Sequence, residues 1–148
     1  MIGTVDSTLL SVASGFLGGI VASVVGQLLA LTRQRRTDIV QLKSPLVEAK
    51  HISAEELVII KRQYDPAFLP DLQEQAMIDD FHQVQSRLKT ARAEAAYLLD
   101  GEQLKLIQKV DSLFNVVIDE SRKSPSPADL ETMFEEHSKD AIDSLPRL

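Results

Sequence analysis

LLSVASGFLGGIVASVVGQLLAL, residues 9–31, is a run of 23 residues without Asp, Glu, Lys or Arg. At a rise of about 1.5 Å per residue it makes a rod of about 34 Å, enough to cross a hydrocarbon core of ~30 Å. Arg33-Gln34-Arg35-Arg36 follows at once. The run therefore reads as a membrane-spanning helix with a basic collar. The fold class expected is all-α: one N-terminal transmembrane helix followed by a small antiparallel bundle of three to four helices.

The charge is divided along the chain. Residues 1–32 hold a single charged side chain, Asp6. Residues 33–64 hold seven Lys or Arg against four Asp or Glu, a net of +3, and residues 65–148 hold nine against 17, a net of −8. Anionic headgroups attract a basic segment beside a span by about 1 kcal/mol per residue. This assigns Arg33, Arg35 and Arg36 to lipid headgroups. The acidic distal part lacks the basic face that phosphate binding requires, which argues against nucleic acid as a partner. There is no cysteine, so disulfides and thiolate metal sites are excluded.

A cleaved signal peptide has a basic leading region and an apolar core of roughly 7–15 residues. Here Met1–Thr8 has no Lys or Arg, and the basic residues come after the run. By the positive-inside rule the arginine end stays in the cytoplasm. The location expected is the cell's inner membrane, single-pass, N-terminus out and C-terminal domain in the cytoplasm. The division expected is an anchor at 1–32, a basic juxtamembrane segment at 33–52 and a helical bundle at 53–148.

Small residues recur every fourth position in the run. Ser11, Gly15, Gly19 and Ser23 form one row; Ser14, Gly18, Ala22 and Gly26 form a second. Residues four apart share a helix face, and small ones let two backbones approach closely. Gly15, Gly18, Gly19, Ala22, Ser23 and Gly26 are thus the candidates for helix packing within a membrane.

The remaining chain reads as capped helices. The first helix is expected to continue through Ile39 and Leu42 and to be interrupted at Ser44-Pro45, because proline removes a backbone donor. Ser53-Ala54-Glu55-Glu56 is a capping box that opens a helix to about Tyr64. Pro66 and Pro70 bracket a connector whose Phe68 and Leu69 are expected in the core, with a recognition loop as the sharper alternative. A helix from about Asp71 to Leu99 carries Met77, Phe81, Val84, Leu88, Ala91, Ala95 and Leu98 in alternating four-three spacing. The two alanines favour an intramolecular bundle over an intermolecular coiled coil. Asp100-Gly101 reads as a turn in which glycine takes positive φ. A helix from about Glu102 to Arg122 follows, with a wide stripe through Leu106, Val110, Leu113 and Val117. Ser126 and Pro127 open the last helix, which ends near Ser144 and is acidic enough to dock loosely.

No phosphate loop, Rossmann glycine set, HExxH or nucleophile elbow is present. Glu48/His51 and Asp79/His82 have the three-residue spacing used in di-iron bundles, but without the further inward carboxylates such a site needs. Glu131, Glu135, Glu136 and His137 read as a solvated acidic face. No catalytic, cofactor or metal residue is assigned. The function expected is a membrane-anchored interaction or accessory subunit. Its partners are the lipid bilayer and another membrane or cytoplasmic protein, or itself as a homo-oligomer. The alternative is a small oligomeric pore-forming or membrane-perturbing protein.

Overall fold

The computed structural model describes residues 2–119 and 125–147, with the side chains of residues 2–17 outside the description. The described residues form five α-helices and no strand: α1 Ile2–Lys50, α2 Ala54–Arg62, α3 Leu72–Ala95, α4 Gly101–Ile118 and α5 Pro127–Ser144. A single 3₁₀ turn, Ala96–Leu98, closes α3. The chain divides into two units, residues 1–36 and residues 37–148.

In the second unit, local sequence sets the helix starts. Ser53 caps α2, its Oγ accepting from the Glu56 amide at 3.2 Å. Asp71 and Glu74 form a reciprocal capping box at α3, and Asp100 and Gln103 form another at α4. Ser126 caps α5 with Pro127 in its first turn. Each such cap satisfies backbone donors that a helix start otherwise leaves open, at a gain of about 1 kcal/mol.

The core is one cluster fed by every helix. Leu42, Leu46 and Ala49 of α1 enter it with Leu57 and Ile60 of α2. Phe81, Leu88, Ala91 and Ala95 come from α3, Ile107, Val110 and Phe114 from α4, and Leu130, Phe134 and Ala141 from α5. Three phenyl rings join α3, α4 and α5. The Phe81 and Phe114 centroids lie 4.8 Å apart, those of Phe114 and Phe134 5.1 Å apart and crossed at 77°. Tilted and edge-on arrangements of this kind suit the ring quadrupoles.

Several expectations are corrected. Pro45 does not interrupt α1, which is helical to Lys50. An interior proline costs roughly 3 kcal/mol. Here its ring is fully buried, among positions where Leu42, Leu46 and Ala49 also lose all their exposed surface, and that burial offsets the cost. The segment from Thr37 to Ile52 accordingly belongs to the compact unit. Gly101 is the first residue of α4, with Asp100 as its cap, and no glycine with a described side-chain environment has positive φ. In the proline-bracketed connector Phe68 packs against the core, but Leu69 is 88% exposed. The last helix does not dock loosely: Leu130, Phe134, Ser138 and Ala141 are all wholly buried.

Candidate functional site

Among the residues of the first unit whose side chains are described, none is buried. Every residue from Gly18 to Arg36 is exposed, including Ile20, Val21, Val24, Val25, Leu28 and Leu29. Gly18, Gly19, Ala22, Ser23 and Gly26 recur at three- and four-residue intervals and so share a face of α1. A methyl group added at Gly18, Gly19 or Gly26 meets nothing within 4 Å. No described neighbour within the chain therefore requires glycine there. Gly15 lies outside the residues whose side chains are described. Arg33, Arg35 and Arg36 are exposed at the end of the apolar stretch.

Among the described residues, no helix is long and apolar enough to cross a membrane. Of the uncharged run, side chains are described only from Gly18 to Leu31. Those 14 residues span about 21 Å as helix, short of a bilayer core.

The second unit carries a groove of about 430 Å³ between its part of α1, α2 and α3, lined among others by Glu48, His51, Glu56, Asp80, Phe81 and Arg87. Arg87 pairs with Glu48, tying α3 to α1. Burial raises the Glu56 carboxyl above its ordinary value; hydrogen bonding from the Ser53 backbone opposes this and the Asp80 charge adds to it. His51 borders the same groove. Among the described residues no three His, Asp or Glu side chains converge on a point that could hold a metal ion. Asp79 and His82 do not act together: Asp79 accepts from Gln75 at 3.0 Å, and the His82 ring meets Gln63 at 3.2 Å.

Glu131 is not a solvated acid. Its Oε2 accepts from the Ala54 amide at 2.5 Å, so a side chain of α5 closes the N-terminus of α2. Lys61 of α2 returns the link by donating to the Pro125 carbonyl at 3.2 Å. The Tyr97 hydroxyl donates to Asp38 at 2.7 Å, fixing the end of α3 to α1 across 59 positions of sequence. Nothing in the local pattern announces these pairs.

The chain matches no family model, no curated protein and no solved structure.

Proposed function

We propose that this protein is a membrane-tethered interaction module, working by binding and not by catalysis. The observation that carries the reading is the contrast between its two units. Residues 37–148 close a core over most of their described apolar side chains, whereas the apolar residues between Gly18 and Leu31 are all left uncovered. Exposed apolar surface of that extent is unfavourable in water at about 25 cal/mol per Å². With residues 9–17 added, the uncharged run reaches the length a bilayer requires. Lipid is then the natural cover, with Arg33, Arg35 and Arg36 at the headgroups and the bundle on the cytoplasmic side. The small-residue face of α1 offers a place for a second membrane helix.

The test is an alkaline carbonate wash of membranes from cells making the intact chain, followed by protease added outside sealed cells. The chain is expected to stay in the pellet and its bundle to survive digestion. Release of the intact chain into the supernatant defeats the anchor, and digestion of the bundle defeats the orientation.

A further inference from the structure

The connector between α2 and α3 ends in a rigid apolar tip. Leu69 is 88% exposed and Leu72 is 93% exposed. They are held, not loose. Phe68 beneath them packs on the core, Asp65 accepts from the Ala67 amide at 2.9 Å, and the Asp71–Glu74 capping box fixes the start of α3. Pro66 and Pro70 remove further backbone freedom. Two nearly naked leucines on a prepaid conformation suit a binding knob, since little ordering entropy remains to be lost on docking. Asp65, Asp71 and Glu74 flank the knob in sequence, with no basic residue between Asp65 and Glu74. Their negative charge disfavours an anionic lipid surface and favours a basic rim.

The same chain carries such a rim. A shallow groove of about 450 Å³ on α4 and α5 is lined by Lys105, Gln108, Lys109, Ser112 and His137; Lys105 also meets Glu102 at 3.4 Å, in a pair exposed enough to leave most of its charge to a partner. The groove's surface is mainly carbon, as expected where lysine stems lie along a helix with their ammonium groups at the edge. The tip cannot reach the groove of its own molecule. Gln85 bonds Asn115 at 2.9 Å and Arg92 pairs with Asp111 at 3.6 Å, so α3 and α4 run antiparallel, with Lys109 level with the C-terminal end of α3. Leu72 lies 20 residues before Arg92, about 30 Å away along the helix.

We propose that the Leu69/Leu72 tip of one molecule docks in the Lys105/Lys109 groove of a second copy. This names a partner for the interaction module and rests on that reading only in treating the bundle as a docking surface; α1 takes no part. The contact joins two different patches, so it propagates head to tail into a ring or an open row. Confinement of both copies to one surface would raise their effective concentration and favour an otherwise weak contact.

The chain has no cysteine, which makes targeted crosslinking clean. Leu69→Cys and Ser112→Cys are both on exposed positions. The full chain carrying both, in mild detergent with a short bismaleimide, is expected to give a ladder of dimers and larger species. Each single variant alone should stay monomeric, and a mixture of the two singles should stop at dimers. Adding Lys105→Glu with Lys109→Glu should abolish the ladder while the helical circular dichroism is unchanged. The proposal is overturned if the double variant crosslinks no more than the singles, if Leu69→Cys crosslinks to itself, or if the ladder survives the two charge reversals. In cells, capture of the Leu69→Cys thiol by a different protein, and not by the Ser112→Cys thiol of a second copy, also overturns it. None of these failures affects retention of the chain in carbonate-washed membranes, so the anchor stands or falls separately.

Discussion

Replacing Ile20 with lysine separates a lipid environment from water, because the two predict opposite outcomes. Residues 9–31 hold twelve Leu, Ile, Val and Phe residues. At about −0.3 to −0.6 kcal/mol each near the centre of a span, they supply about −4 to −7 kcal/mol of insertion free energy, before the glycines, serines and Gln27 subtract their share. Ile20 sits in the middle of the run. A lysine there costs about 2.5–3.5 kcal/mol and removes the isoleucine's own contribution, a loss of about 3–4 kcal/mol in all. That is most of the available driving force, and about a hundredfold or more in the inserted-to-free ratio. If α1 stands in water, the structure gives another answer. Ile20 is 46% exposed with no core side chain over it, so lysine there should change stability by less than about 0.5 kcal/mol and improve solubility. The assay is the fraction of chain left in the pellet after a carbonate wash, with Val40→Lys as control; Val40 is 57% exposed and lies beyond the arginines. Ile20→Lys should move a large share of the chain to the supernatant or to degradation, and Val40→Lys should not. Equal pelleting of Ile20→Lys and the unaltered chain refutes the reasoning.

Two further substitutions probe the bundle. Glu131→Ala removes the acceptor at the α2 N-terminus and should lower unfolding stability by about 0.5–2 kcal/mol, seen as a lower urea midpoint. Glu131→Gln keeps an acceptor and should recover most of the loss; identical midpoints for all three chains would show that the contact contributes nothing. Glu56→Gln tests the groove's electrostatics. The folded carboxyl titrates above its ordinary value of 4.5, first because of burial. A raised folded pKa means stability that is full below 4.5 and is lost as pH rises through the raised value. Relative to Glu56→Gln, the unaltered chain should therefore weaken between pH 4.5 and neutral, by less than about 1 kcal/mol because the half-buried group is still partly screened by water. Parallel pH profiles of the two chains would contradict this.

The helix starts were legible because caps are local. Ser53 and Ser126 act on amides three residues away, Pro127 stands in the first turn of its helix, and sequence alone places them. The stripes of α3 and α4 were legible for a related reason: Phe81, Val84, Leu88, Ala91 and Ala95, or Val110, Leu113 and Val117, repeat at the helical period and are all buried. Pro45 was misread because its local cost is outweighed by a core assembled from distant segments. Leu69 was misread in the opposite sense, since an apolar residue beside a proline carries no mark of whether a neighbour covers it. The clamps are long-range by nature. Glu131 looks like part of an acidic surface until α5 is laid against α2, and only then does its carboxylate meet the open amide of Ala54.

The periodicity of α1 itself locates the proposed boundary between lipid and water. From Leu9 to Leu31 no side of the helix carries a charged residue, as suits a helix whose every side faces the same apolar solvent. From Thr37 onward the sides differ: Ile39, Leu42, Leu46 and Ala49 are buried, while the charged Lys43 and Glu48 are exposed together with Val40 and Val47. One-sidedness is what a helix needs when one face meets a protein core and the other meets water. The change of pattern falls within residues 32–38, and the three arginines occupy that interval. A continuous helix has no backbone reason to change its pattern there, since hydrogen bonding runs through unchanged. A change of surroundings supplies the reason, and permanently charged guanidinium groups are the side chains that would hold such a boundary in place.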